Sequence, residues 1–202
     1  MIAIALAAVF FGCVAFIGAQ LSRTVCAGVA PEPDGPSPGT PPYAILTAAA
    51  ALLGGSLVAL GTTPLQIGIA AIVVFALVAC WCSDTICGIL PDVFTLVPLA
   101  ALLFFAFAQR DWGILVSGSV VFVPFAAAAL FSRGYGMGWG DVKLVALTGA
   151  ALGAPLAIFT LAIACVAAVV GHRISKAAGK PIAFAPYIAA ATGIALPLGF
   201  VH

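Results

Sequence analysis

Long apolar stretches, separated by short clusters of glycine, proline and charge, divide the chain into eight segments. They run over approximately 2–22, 44–62, 65–82, 93–109, 113–132, 142–153, 156–172 and 183–200. Most approach the ~20 residues that a helix needs to cross the hydrocarbon core of a bilayer. In lipid the backbone amides must be paired within the segment, which a helix achieves alone. The expected fold is therefore all-α: a polytopic membrane helix bundle of about eight transmembrane helices, forming one transmembrane domain over 1–202. The sixth segment is short for a full crossing. It is expected to end at Ala154-Pro155 or to tilt into the seventh as a helical hairpin. The first has the apolarity of a signal peptide, but no positive charge precedes it and Arg23 follows it. That is the reverse of a secretory signal, so it reads as a retained first helix.

Composition strengthens this reading and removes others. Of 202 residues 64% are hydrophobic and only 6% charged, and the mean hydropathy is +1.29, which excludes a sizeable soluble domain. A net charge of +1 offers no basic surface to nucleic acid. The seven basic residues orient the bundle. With the N-terminus outside and eight crossings, Arg23, Arg133, Lys143, Arg173, Lys176 and Lys180 fall at cytoplasmic ends and only Arg110 falls outside. Residues 24–43, with the core PEPDGPSPGTPPY, form a proline-rich cytoplasmic loop that cannot build a core and reads as a linker. Glu32 and Asp34 belong to it. The six cysteines are scattered and make no C-x-x-C pair, so they read as small buried hydrophobes and not as metal ligands or disulfides.

Against this background two carboxylates stand out. Asp84, in CSDTICGILPD, ends the third segment, and Asp141, in GYGMGWGDVKL, opens the sixth. Charge at membrane depth costs about 2.5–3.5 kcal/mol, which makes each a functional candidate. The orientation above puts both at the cytoplasmic face. Two carboxylates sharing a site hold one proton between them, because like charges a few ångströms apart do not both ionise. One then takes a proton from water while the other donates to a carbonyl, the chemistry of an aspartyl protease. Every second residue from Gly134 to Gly140 is glycine, a run that favours φ > 0, close backbone approach and an unwound segment beside the site. The competing reading makes Asp141 a cap of the sixth helix. Asp92, after Pro91, reads as the cap of the fourth helix with Thr95 three residues on, and is the rival for the second acid. Asp111 beside Arg110 reads as a solvated pair in an outer turn. Lys143, two residues from Asp141, points away from it and is expected to snorkel to the headgroups. Phe184, Pro186 and Tyr187 are open to either packing or substrate contact.

The motifs carry a resemblance. GMGWGDVKLVALTGAALG resembles the GxGD signature of the type IV prepilin peptidases. Asp84 followed by Leu90-Pro91-Asp92 is similar to their first aspartate motif, and PIAFAPYIAAA to their C-terminal PFGPF/Y-type segment, with Ala185 where glycine is usual. FIGAQLSR resembles part of their N-terminal GSFLNVVIxR stretch. The resemblance implies a multi-pass endopeptidase of the bacterial inner membrane. Such an enzyme cuts the basic leader from type IV prepilins, Flp-type prepilins or secretion pseudopilins at the cytoplasmic face. It implies Asp84 and Asp141 as the catalytic pair, with Gly136, Gly138, Gly140, Pro91 and Lys143 supporting the motifs, and no cofactor. Larger members carry a cytoplasmic insertion with two C-x-x-C pairs and also N-methylate the trimmed pilin. Here only Cys26 lies at that place, which removes the zinc site and puts methyl transfer in doubt.

Other classes make different demands. A presenilin-like GxGD protease would carry Tyr-Asp and Pro-Ala-Leu, whereas here Ser83 precedes Asp84 and the end reads Ala195-Leu196-Pro197. A transporter, or an assembly subunit of a pilus or secretion system, would use its carboxylates for protons or cations near mid-membrane, around broken helices. Both aspartates at one face speak against it.

Overall fold

The computed structural model describes residues 1–29, 39–131, 137–174 and 183–200. All regular structure in them is helical: α1 (Ile2–Cys26), α2 (Tyr43–Ala59), α3 (Pro64–Cys87), α4 (Asp92–Gln109), α5 (Trp112–Phe131), α6 (Trp139–Leu152), α7 (Ala154–Ile174) and α8 (Ala185–Gly199). Each matches a segment expected from the apolar pattern. Five of them (α1, α3, α4, α5 and α7) are long and apolar enough to cross a membrane, while α2 and α8 are apolar but shorter. The protein is thus a multi-pass membrane protein. The core of the proline-rich segment, 30–38, lies outside the described residues, as do Arg133, Lys176 and Lys180.

Helix α3 is the centre. In its most apolar 18-residue window 56% of residues are buried, against 17–28% in the other four crossing helices. Its start is fixed by a capping box. Thr63 Oγ1 accepts from the Gln66 N–H (3.3 Å), the Gln66 side chain accepts from the Thr63 N–H (2.8 Å), and Pro64 follows at the first helical position. Its end is fixed by Gly88, whose φ of 69° lets its N–H bond back to the Asp84 carbonyl at 3.0 Å. Around this helix pack α1, α8 and α4, with lighter contacts from α2 and α6. The α1–α2 pair is close because Gly54 has no side chain, since a Cβ there would stand 2.6 Å from the Phe11 ring. Small residues at such crossings are how membrane helices gain contact without a hydrophobic drive. A buried Thr148–Thr192 hydroxyl contact of 3.2 Å joins α6 to α8.

The structure adds three details. The third segment continues through residue 87, so Asp84 lies inside the last helical turn and not at its edge. The sixth and seventh segments are separate helices, and the break falls at Gly153, one residue before Ala154-Pro155, where a φ of 78° is one that no ordinary residue adopts comfortably. The cysteines are not all isolated: Cys26 and Cys87, both buried, bring their sulfurs to 2.6 Å where the ends of α1 and α3 meet.

Candidate active site

Asp84 is 5% exposed. Its Oδ2 accepts the Ala185 N–H at 3.1 Å. Ala185 is the first residue of α8, so that N–H has no acceptor within its own helix. The positive end of α8 therefore faces the carboxylate. Pro186 follows and has no N–H to offer, which leaves Ala185 as the donor.

Asp141 is the third residue of α6. It accepts a hydrogen bond from the backbone N–H of Gly138, the cap residue of that helix. This is the returning half of a capping box. Capping and chemistry are thus not alternatives here, because one oxygen suffices for the cap. The other, Oδ1, is buried and has no hydrogen-bond partner among the described residues. A buried oxygen left unpaired is costly unless a water or a shared proton completes it.

The two carboxylates are near enough for the charge of one to act on the other, and both act on the Cys80 thiol, one turn before Asp84 on α3. The end of α3 and the start of α6 thus bring together residues 57 positions apart. Two contacts set that meeting. A Cβ on Gly140 would stand 2.7 Å from the Leu90 Cβ, so the first turn of α6 rests directly on the step that leads into α4. Beside it Lys143 Nζ pairs with Asp92 Oδ1, the one ion pair among the described residues.

Several site expectations change. Asp92 is the first residue of α4 and makes no side-chain cap bond; Pro91 holds the cap position with φ −61° and ψ 136°. Its carboxylate is exposed and held by Lys143, which sets it apart from Asp84 and Asp141. Lys143 reaches Asp92 and does not snorkel alone. Neither Gly138 nor Gly140 uses a positive φ. The helix begins at Trp139, so Gly140 lies in its first turn and is needed for close approach. Gly136 lies outside the described residues. Phe184 and Tyr187 pack against the core. Asp111 is exposed and accepts the Gly113 N–H at 3.0 Å, which makes it a turn residue. No three His, Cys, Asp or Glu side chains gather to hold a metal ion among the described residues. The sequence reading did not single out the N–H of Ala185 as a ligand of Asp84, although Ala-Pro at a helix start announces an uncommitted donor.

The sequence profile of the type IV leader peptidase family matches residues 70–171, half of the chain. This chain belongs to the type IV leader peptidase family. The match spans α3 to α7 nearly entire, and so contains both aspartates, Pro91, Asp92 and Lys143. Neither a curated protein nor a solved structure matches it. Within this leader peptidase the matched helices supply both carboxylates, while α8, beyond the match, supplies the N–H that holds Asp84.

Proposed function

We propose that this peptidase removes the short basic leader from type IV prepilins, Flp-type prepilins or pseudopilins, with Asp84 and Asp141 as its catalytic pair. The observation that carries the reading is the meeting of two carboxylates, Asp84 buried and Asp141 partly buried, each held through a backbone N–H at a helix start, with the buried Asp141 Oδ1 unpaired among the described residues. The surroundings of Asp92, exposed and paired with a lysine, support assigning it no part in the chemistry.

The pair shares one proton. The ionised member removes a proton from a water, whose oxygen adds to the scissile carbonyl carbon. The protonated member gives its proton to the carbonyl oxygen. As the tetrahedral intermediate collapses the C–N bond breaks, the amine leaves with a proton and the pair regains its starting state. The Ala185 and Gly138 N–H groups hold each carboxylate in place through this cycle. The excess of Lys and Arg on one side, with the N-terminus outside, supports a cytoplasmic position for the site in the bacterial inner membrane.

The test is co-expression with prepilins of the same genome and mass spectrometry of the pilin N-terminus, beside Asp84→Asn and Asp141→Asn. Wild type should shorten a pilin at its leader, and either variant should leave it whole. Processing that survives either substitution sinks the assignment of the pair. The same spectrum reads any added methyl group, which is not expected.

A further inference from the structure

Helix α4 begins with a buried carbonyl that its own sequence leaves short of a donor. Pro98 stands inside this helix. Having no N–H, it cannot supply the hydrogen bond that the Phe94 carbonyl, four residues earlier, would receive in an unbroken helix. Phe94 is wholly buried, so that oxygen has no solvent to turn to. Proline is tolerated in a membrane helix where a neighbour satisfies the freed backbone group. Here the neighbour is α3, whose Cys80 S–H donates to the Phe94 carbonyl at 3.8 Å. The Phe94 ring also meets α3, edge-on to Phe75 with 6.3 Å between centroids. One residue of α4 is thus held by α3 at both its backbone and its side chain.

We propose that Cys80 is a positioning residue, whose thiol takes up the carbonyl freed by Pro98 and so fixes the placement of Asp84 relative to Asp141. The inference rests on the peptidase reading above and adds what sets the geometry of the pair. Cys80 and Asp84 are four residues apart on α3 and share one face, a turn from each other. Phe94 lies in the first turn of α4, four residues after Leu90, against which Gly140 of α6 packs. Asp92 opens the same turn and pairs with Lys143 of α6. The start of α4 is therefore the piece on which α6 rests, and the first turn of α6 carries Asp141. From Asp84 the connection runs back to Cys80, across to Phe94, down to Leu90 and Asp92, and over to Asp141. The charges of both carboxylates act on the thiol, as suits a group lodged behind them. A thiol also fits the task better than a hydroxyl. It is a weak donor that serves the carbonyl without competing strongly for a nearby carboxylate. Cys80 is wholly buried, so it acts through the placement of Asp84 and not on a substrate.

The test is a double-mutant cycle read in turnover. The probe is a synthetic peptide with a lysine-bearing leader ending in glycine, followed by an apolar helix of about 20 residues, cut by the full chain in phospholipid vesicles. Cys80→Ala should lower kcat about tenfold and leave KM within about twofold, since the loss is one of geometry at the reacting groups. Cys80→Ser keeps a donor and should stay within about threefold of wild type. Pro98→Ala returns an N–H to the Phe94 carbonyl from within α4. In that background the change Cys80→Ala should cost less than about twofold, because the carbonyl is already served. A packing role for Cys80 would make its cost the same in both backgrounds. That result, or an unchanged kcat in Cys80→Ala, overturns the proposal. If Cys80→Ala does not fold, the infrared S–H stretch decides. The difference between wild type and Cys80→Ser isolates the Cys80 thiol, which should show the lowered frequency of a hydrogen-bonded S–H; a free-thiol frequency overturns the proposal. A probe that wild type leaves whole counts against the peptidase reading alone, since the stretch still reads the bond.

Discussion

Two carboxylates at helix starts, Asp111 and Asp141, do the same local work in different surroundings. Asp111, in the turn between α4 and α5, accepts the Gly113 N–H at 3.0 Å and is otherwise open to water. Asp141 accepts the Gly138 N–H, but its second oxygen is buried with no partner among the described residues, and its charge acts on Asp84. A cap uses one oxygen. What separates a turn residue from a candidate acid is therefore where the second oxygen goes. At α4–α5 it goes to solvent; at α6 it goes into a space walled by α3 and the Leu90 step.

The largest effect should come from removing the acid while keeping the cap. In Asp141→Asn one amide oxygen still receives the Gly138 N–H, and the amide nitrogen can donate to Asp84, so folding should shift by less than about 1 kcal/mol. Activity should fall at least ~10³-fold, because no shared proton remains. Asp84→Asn should do the same, its oxygen still meeting Ala185. Prepilin processing in membranes measures the first quantity, and a detergent-denaturation titration the second. If both variants unfold, the aspartates are structural and the comparison with Asp111 collapses.

The two glycines of the motif differ in the room they leave for a side chain. Gly140 has no room for a side chain, since its Cβ would meet the Leu90 Cβ at 2.7 Å. Gly140→Ala should push α6 off the Leu90 step, at a cost of ~1–3 kcal/mol for overpacking, and move Asp141 relative to Asp84. Displacements of about 1 Å at a reacting group cost ~10²-fold, and that is the loss expected in kcat. Gly138 is different: its φ of −71° suits any residue, and its Cβ would lie 3.7 Å from the Asp141 carboxylate, an ordinary contact. Gly138→Ala should keep activity within about tenfold of wild type, since it leaves the backbone N–H in place. Equal losses at both glycines would mean that backbone freedom, not close packing, is what the motif supplies.

A smaller effect is expected at the ion pair. Asp92 is 64% exposed at its side chain, and an exposed pair contributes ~0–1 kcal/mol. Lys143→Met and Asp92→Asn should each lower processing a few-fold at most, and the double variant should lose no more than the worse single, since both remove one contact. A loss as deep as that of Asp141→Asn would return Asp92 to the catalytic pair.

Much of this was legible in the chain before its fold. The eight helices follow from apolar runs and their glycine and proline breaks, since each run of that kind has one way to satisfy its backbone in lipid. Asp84 and Asp141 were legible because charge is so scarce that any carboxylate beside an apolar run draws notice. What was hidden depends on distances across the bundle. Nothing in the order of residues says that Gly140 meets Leu90, that Lys143 reaches Asp92, or that Cys26 and Cys87 touch. Spacing misread the role of the glycines, because a glycine kept for φ > 0 and one kept for close approach look alike in sequence. The third segment, expected to end at residue 82, runs on to Cys87, because its stop is the left-handed Gly88 and not the last strongly apolar residue.

The smallest effect concerns the other member of the comparison. Asp111→Ala removes the acceptor of the Gly113 N–H at the start of α5. Loss of such a cap costs about 0.5–2 kcal/mol, at the low end where water replaces the lost acceptor, as it does at this exposed turn. Processing of a prepilin should be unchanged within about twofold, because the turn shares no contact with the aspartate pair. Asp111→Asn should restore the stability as well, since Asn caps nearly as well as Asp. Asn is thus expected to be harmless at position 111 and fatal at 141, although both side chains cap a helix. That contrast isolates the second oxygen of Asp141 as the difference between them. Were Asp111→Asn to reduce processing as Asp141→Asn does, the loss at 141 could no longer be read as loss of an acid.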